Sequence, residues 1–549
     1  MSLGLVHGYG FSGAGSNLWT RAVLRALAQL GRDVHVVCQE SHPERFDFVA
    51  AATAYDAGGT PEELFERETP YPGRVVVHRP TLAKLPTFVR PSRPSDYVVY
   101  IPDMEDADLE DYLARNERVL SHVAADHDVH AWVVNHVVMM AGAATRAREA
   151  GSVPFGVLPH GSAIEYVVKK EERSRRMAED ALRVAARVYA LNGEMEGRIT
   201  DVFGHLDGVE AKVERMPVGV DTTLFDVADR ADRPRLVARV AEAVAGEPRG
   251  RTTEHEARLR RALAEADALP DLDALLALFA EADYARSAPD AHVEAKLEAL
   301  DWPRAKTVLY VGRLISAKGI PSVVMAFPDV VRRHPEARLL IAGTGGLREA
   351  MEALVWALSE GRRDLVEHLV GLGGALEAGG LDPRPFAAAR GFLDGLDADG
   401  RLDGWIAAAA EHLTPEHVVF TGYLDHDALA PLYGLADVGV FPSVVREASP
   451  LVIPEAAASG AFPIGTDFGG MGDSLGVVGE GLPEEARPLL KARPDPEHTV
   501  ADLAHHIAEA LERPREHAAA LRTIAERRFD WRAIAARLAA DLDGLARDA

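Results

Sequence analysis

A single cysteine, Cys38, stands in 549 residues, which excludes an internal disulfide framework. It lies in the apolar run Val34 to Cys38 and reads as a small buried residue. No run of about 18 apolar residues occurs, so no membrane-spanning helix is expected. The N-terminus, Met1-Ser2-Leu3-Gly4-Leu5-Val6-His7, has no basic region followed by a long apolar stretch, so no secretion signal is read. A soluble cytoplasmic protein is the simplest expectation. Positive charge is scarce: 60 Lys and Arg face 85 Asp and Glu, a formal net charge of −25. That balance repels polyanions and argues against a general binder of nucleic acid or anionic membrane, while leaving room for a local basic groove. No fixed-period repeat is visible. Metal-ligand spacing is also missing: His505-His506 is weak, and Asp397-Ala398-Asp399 reads as a turn. No metal and no cofactor are expected.

Apolar residues make up 47% of the chain, and 549 residues exceed what one core serves, so two large domains are expected. Short apolar runs alternate with helical patterns at both ends, the signature of parallel α/β sheets. In the first set, Gly4 to His7 reads as a strand, Gly8 to Gly15 as a glycine loop and Asn17 to Leu30 as a helix. Val34 to Cys38, Trp132 to Val134 and Phe155 to Leu158 read as further strands. The second set begins near residue 306 with the strand Val308 to Val311 and the helix Pro321 to Arg333. Leu339 to Ala342, Val418 to Thr421, Val438 to Phe441 and Ala461 to Ile464 follow as strands. Two Ala- and acid-rich stretches, about 229–300 and 360–415, read as helical insertions on the surface, with solvated decoration preferred to a partner surface.

The most informative feature is a pair of acids, Glu447 and Glu455, placed after the strand Val438 to Phe441. Glu447 lies in a strand-to-helix loop and Glu455 at the head of the next helix. Open α/β sheets bind ligands at such loops. Helix-head amides suit phosphate, while carboxylates accept hydrogen bonds from sugar hydroxyls, so the combination describes a nucleotide-sugar site. Arg313 and Lys318 bracket the loop after Val308 to Val311, where two cations can neutralise a leaving diphosphate. His160 follows the strand Phe155 to Leu158. Asn135 and His136 hold a similar strand-end position, where acceptor, core and surface roles are all open. A rival pattern is Gly8-Tyr9-Gly10-Phe11-Ser12-Gly13 with Glu40 after the second strand, the dinucleotide fingerprint at face value. It supports an NAD-dependent oxidoreductase but leaves Arg313, Lys318 and the two glutamates unexplained.

The ordered motifs resemble the retaining GT-B glycosyltransferases of family 4, glycosyl transferases group 1. They run Val311-Gly312-Arg313-Leu314 with Lys318-Gly319, Leu340-Ile341-Ala342-Gly343, Val419-Phe420-Thr421-Gly422, Ala436-Asp437-Val438 with Pro442-Ser443, Glu447 to Glu455, and Gly469-Gly470. Met216-Pro217-Val218-Gly219-Val220-Asp221 and Phe529-Asp530-Trp531 fit the family's exit from the first domain and its C-terminal helix. Departures are Ala14-Gly15 for a Gly-Gly pair, Val218 for an asparagine and Asp473 for a glutamate.

The resemblance implies two Rossmann-like doubly wound domains facing a central cleft. Residues 1–218 form an acceptor domain, 219–300 a connecting segment with its insertion, 301–520 a nucleotide-sugar domain, and 521–549 a helix packing back on the first domain. It implies that Arg313 and Lys318 hold the diphosphate, that Glu455 binds the ribose, and that Glu447, with Ser449, Pro450 and Leu451, contacts the donor. Gly15 approaches the phosphates and His160 the reacting sugar. The implied reaction is retaining, metal-independent transfer from a nucleotide-diphosphate sugar to an acceptor hydroxyl. Front-face attack is the working expectation, since no carboxylate nucleophile emerges. Base, sugar, acceptor and oligomeric state stay open. Arg74, Arg79, Lys84, Arg90 and Arg93, or Lys169, Lys170, Arg173, Arg175 and Arg176, are candidate contacts for an anionic acceptor. A non-catalytic GT-B scaffold is a second alternative.

Overall fold

The computed structural model describes residues 2–13, 15–90, 95–266, 268–281, 284–285, 287–377 and 386–548. Ala14, Arg93 and residues 378–385 of the second insertion lie outside the described residues. Contacts divide the chain into two units, Met1–Gly219 with Arg528–Ala549, and Val220–Arg527.

The first unit holds β1 (Ser2–Val6), β2 (Val34–Val37), β3 (Val49–Tyr55), β4 (Pro61–Glu66), β5 (Val75–Pro80), β6 (Leu85–Thr87), β7 (Val98–Tyr100), β8 (Val129–Asn135), β9 (Phe155–Leu158), β10 (Arg187–Ala190) and β11 (Val213–Arg215). Nine of these form one sheet in the order β11-β10-β9-β8-β1-β2-β5-β3-β4, and β6 pairs with β7. All ladders are parallel except β3 with β4. Central strands such as β2, β8 and β9 are buried at every position, as a sheet covered on both faces requires. The helix Trp531–Asp548 belongs to this unit: Asp543 accepts from Arg32 at 2.7 Å and lies 2.9 Å from His130, and Tyr189 donates to Asp541 at 2.5 Å.

The second unit holds β12 (Lys306–Val311), β13 (Ala337–Ala342), β14 (Val418–Gly422), β15 (Val438–Phe441), β16 (Phe462–Thr466) and β17 (Lys491–Ala492). They form a parallel sheet in the order β14-β13-β12-β15-β16-β17. In its own chain order this is 3-2-1-4-5-6, the doubly wound arrangement, and its topological switch point lies between β12 and β15. The register aligns Leu309 with Leu340 and Gly439, and Val440 with Ile464.

The first insertion differs from the expected solvated decoration. Leu236, Val240, Leu259, Leu263, Leu275, Phe279, Val293 and Leu297 are buried, and so are Arg233, Arg251 and Asp290. Arg233 donates to Asp437 at 2.7 Å, just before β15, and Asp437 in turn accepts from the Thr307 amide at 2.8 Å. Arg251 donates to Glu352 and Glu349 on the helix Arg348–Ser359. Arg348 on that helix donates to Glu352 at 2.8 Å and to Asp290 at 2.9 Å. Its guanidinium also lies 4.2 Å from the centre of the Phe420 ring. Burial opposes ionisation of Glu352, yet Arg348 and Arg251 hold its carboxyl below the ordinary range. The acid- and alanine-rich composition hides this because few positions per turn point inward, and those few are paired.

Removing one charge from a buried network strands its partners without solvation. Arg348→Met is therefore expected to lower the unfolding free energy of the second unit by about 3–5 kcal/mol, measured by denaturant unfolding of the full chain.

Candidate functional site

In the second unit the loop after β12 carries Arg313 and Lys318, and the loop after β15 carries Glu447. Adjacent parallel strands therefore deliver them from opposite sides of the switch point. Lys318 Nζ is paired with Glu447 Oε1. The Ser443 hydroxyl lies 2.7 Å from the same oxygen and 3.1 Å from the Ala317 carbonyl. The Val444 amide also donates to Ala317, at 3.1 Å. The two loops can approach this closely because of Gly319, which has φ +69°. A Cβ there would lie 1.9 Å from the Pro442 carbonyl oxygen, so no larger residue fits.

The loop after β16 is tied in as well. The Gly470 amide donates to the Glu447 carbonyl at 2.9 Å, and the Thr466 hydroxyl donates to the Ser443 carbonyl at 2.6 Å. Arg313 is exposed, and among the described residues no side chain engages its guanidinium. Burial pushes the Tyr310 hydroxyl pKa up, and the charges of Glu447 and Arg313 both reach that hydroxyl. Arg313 therefore belongs to the same neighbourhood as the Lys318–Glu447 pair.

Glu455 lies on the helix Val452–Ala458 and is 6% exposed. His426 Nε2 is 3.3 Å from its Oε1. Ser449, Pro450 and Leu451 form the link between the Glu447 loop and this helix. Ser443 is read only as part of the Pro442-Ser443 motif, with no role at the acids, and His426 is not singled out in the sequence. Both are carried by loops or helix starts whose relation to the acids appears only once the sheet is assembled. Glu377, in the second insertion, accepts from the Ser316 amide at 2.7 Å, so that insertion reaches the Lys318 loop.

In the first unit, the switch point lies between β1 and β8, and histidines follow β1, β8 and β9 in sequence: His7, His136 and His160. His160 is buried, and its Nε2 donates to Asn135 Oδ1 at 2.7 Å. Asn135 donates to Thr20 at 3.0 Å, and Thr20 to the Ser16 carbonyl at 2.8 Å. Asn135 is thus a positioning group for His160. His136 has φ +69° and lies tilted 4.7 Å from His160 and 4.4 Å from Phe88, ring centre to ring centre. Its two buried ring nitrogens have no hydrogen-bond partner among the described residues. His7 Nε2 lies 3.0 Å from Asn17 Oδ1. Gly15 opens the helix Gly15–Gln29, and the space its Cβ would take is empty.

The dinucleotide pattern is put to another use. Glu40 is buried, its Oε2 accepts from the Phe11 amide at 2.8 Å and its Oε1 from the His42 amide at 2.8 Å. A Cβ on Gly10 would lie 2.9 Å from Glu40 Oε2. The acid that a ribose would need is committed to the loop's own backbone.

The basic clusters are likewise occupied. Arg74 pairs with Glu66, Arg90 with Asp103, Lys169 with Glu165, Arg173 with Asp106, and Arg175 and Arg176 with Glu172. Lys84 donates to the Asp96 carbonyl, and Arg79 to the carbonyls of Glu40 and Ser41. These are mostly exposed pairs, which an anion could exchange as readily as the Lys318 pair.

Two doubly wound α/β units in one chain, one with cations and acids gathered at its switch point, form the architecture of the GT-B glycosyltransferases. Residues 294–363 and 397–513 match two family models, both described as Glycosyl transferases group 1. The gap between the matches falls in the second insertion. The chain is similar to an uncharacterized glycosyltransferase of Methanocaldococcus jannaschii, 29% identical over 30% of this chain and 28% of that protein. It is also similar to a glycogen synthase of Mycobacterium tuberculosis, 26% identical over 44% of each. The match thus spans less than half the length of either curated relative. Among solved structures, the catalytic domain of starch synthase IV from Arabidopsis thaliana is similar at a TM-score of 0.52, with 12% identity and 100% of both chains covered. The solved structure shows a likeness of fold, and the family models match part of the second unit.

Burial lowers the pKa of His7 to about 4 and of His160 to about 3, each below the ordinary 6.5. With the folded value lower than the unfolded one, both rings are neutral in either state above pH 6.5 and cost nothing there. As pH falls below 6.5 the unfolded chain takes up protons that the folded chain refuses, so stability declines toward pH 4. At pH 5 each ring is expected to remove roughly 2 kcal/mol from the first unit, at ~1.4 kcal/mol per pH unit. Calorimetric melting of the full chain between pH 7 and pH 5 measures this, and a flat profile contradicts neutral buried rings.

Proposed function

We propose that the chain is a retaining, family 4 type glycosyltransferase that moves a sugar from a nucleotide-diphosphate sugar to an acceptor hydroxyl. The observation that carries this reading is the pairing of Lys318 with Glu447 across the switch point of the second unit, with Arg313 in the same neighbourhood. A partly exposed ion pair contributes little to stability, so its value here lies in placement. Lys318 is held by a carboxylate that the donor's phosphates can replace as partner. Glu447 is then released toward hydroxyls of the donor sugar, with the Ser449, Pro450 and Leu451 segment beside it. Glu455, steadied by His426, is suited to accept from the ribose hydroxyls. The fold relative from Arabidopsis thaliana is described as bound to ADP and acarbose, in keeping with a nucleoside diphosphate as the bound leaving group.

In this reading the anomeric carbon's bond to the diphosphate oxygen breaks, and the diphosphate leaves with the electron pair. The acceptor oxygen bonds to the same face of that carbon, and its proton passes to the departing phosphate. Charge accumulates on the diphosphate, and Arg313 and Lys318 stabilise it there. Because the chain itself supplies two cations, the step is written without a metal. In the first unit, His160 is kept neutral by burial and oriented by Asn135, which suits it to a hydrogen bond with a sugar hydroxyl rather than to a charge. No described helix is long and apolar enough to cross a membrane.

The NAD reading is disfavoured by the commitment of Glu40 to the Phe11 and His42 amides. A screen of nucleoside diphosphates and their sugars for thermal stabilisation, followed by transfer assays, tests the proposal. Lys318→Ala is expected to cut donor turnover by about 10²–10³-fold with the fold retained, the scale of losing one stabiliser of transition-state charge. Glu455→Ala is expected to weaken nucleotide binding. Stabilisation by NADH alone, or a fully active Lys318→Ala enzyme, overturns the reading.

A further inference from the structure

Three histidines of the first unit meet away from the strand-end residues described above. His35 is the second residue of β2, and His78 lies on the neighbouring strand β5, where Val34 aligns with Val75 and Val37 with His78. His127 caps the C-terminal end of the helix Asp106–Asp126. One ligand nitrogen from each of the three lies within 4.8 Å of the others. The His35 and His127 rings stack with centres 4.4 Å apart, and His35 Nδ1 is 2.9 Å from His78 Nε2. Tyr55, on β3 beside β5, places its hydroxyl 2.9 Å from the other nitrogen of His78.

Three imidazoles from three separate elements converge here with no carboxylate or cation between them. As a packing device alone the arrangement is wasteful. His35 and His78 each bring a polar nitrogen into a buried place, and only one hydrogen bond joins their rings. As a ligand set it is economical. Four-coordinate zinc with bonds of about 2.0–2.1 Å requires ligand nitrogens roughly 3.3 Å apart, which this set meets once the stacked His127 ring turns toward the other two. The Tyr55 hydroxyl stands where an outer partner fixes the tautomer of a ligating histidine, so that His78 Nε2 faces the ion. Asp126, next to His127 in sequence, adds a negative charge at the open side, and His127 is exposed there, which gives an ion a route in. An all-imidazole set with no thiolate suits Zn²⁺ and its neighbours among the first-row divalent ions rather than Mg²⁺ or Ca²⁺.

We propose that His35, His78 and His127 bind one zinc-class divalent cation, with water as the fourth ligand, fastening β2 and β5 to the end of the helix Asp106–Asp126. The site is structural. It lies in the body of the sheet and not among the loops that follow the strands, so it is independent of the transfer reaction.

The test uses the full chain without an affinity tag, stripped with chelator and titrated with Co²⁺ alone. The expected result is one equivalent of Co²⁺ per chain with the intense visible absorption of four-coordinate cobalt, displaced by one equivalent of Zn²⁺. Zn²⁺ is also expected to raise the melting temperature of the first unit by a few degrees. His127→Gln, a change at an exposed position, is expected to keep the circular dichroism spectrum, weaken Co²⁺ binding at least tenfold and abolish the Zn²⁺ shift. Absence of stoichiometric Co²⁺ binding, or equal affinity in His127→Gln, overturns the proposal and leaves the cluster as a hydrogen-bonded stack.

Discussion

Everything placed at the candidate site depends on one constraint, the strand order of the second sheet. Because β12 and β15 are neighbours, the loops that follow them must run side by side, although their residues are more than a hundred positions apart in the chain. Lys318, Ser443 and Glu447 meet only for this reason. Gly319 makes the approach possible, because any side chain there would occupy the space of the Pro442 carbonyl. The Gly470 amide and the Thr466 hydroxyl then bind the loop of the next strand to the same cluster. The result is a set of irregular segments whose backbones are held by one another.

The second unit is also held by buried charge, which an acidic chain has to arrange with care. Asp437 opens β15 and is gripped by Arg233 from one side and by the Thr307 amide from the other. Arg251, Arg348, Glu352 and Asp290 form a further buried group, extended by Glu349 and Lys296. The residues that supply much of this group sit in the first insertion, so that stretch belongs to the architecture that positions β15 and the acids beyond it. Most cations of the first unit named as acceptor contacts are likewise taken up by nearby carboxylates.

Much of this was legible in the sequence because the informative residues are contiguous with the strands that carry them. Arg313 and Lys318 follow an unbroken apolar run and Glu447 another, so their placement in the loops after strands could be read directly, as could that of Glu455 on the next helix. The doubly wound fold followed from the same alternation. Three things were not legible. Burial of the first insertion depends on a minority of inward positions within an acidic, alanine-rich composition. Ser443, His426, Glu377 and Asn135 acquire their roles through neighbours distant in sequence. The three histidines on β2, β5 and the end of a helix have no spacing that a linear pattern would register. The glycine-rich turn after β1 shows the opposite failure: a pattern fully present in the sequence whose acidic member, Glu40, serves the turn itself.

That last arrangement ties two distant positions together. The carboxylate of Glu40 sits on the Phe11 amide in space that a side chain at position 10 would crowd, since a Cβ there would lie 2.9 Å from its Oε2. A methyl group at position 10 would therefore displace the carboxylate and loosen the turn rather than the sheet behind it.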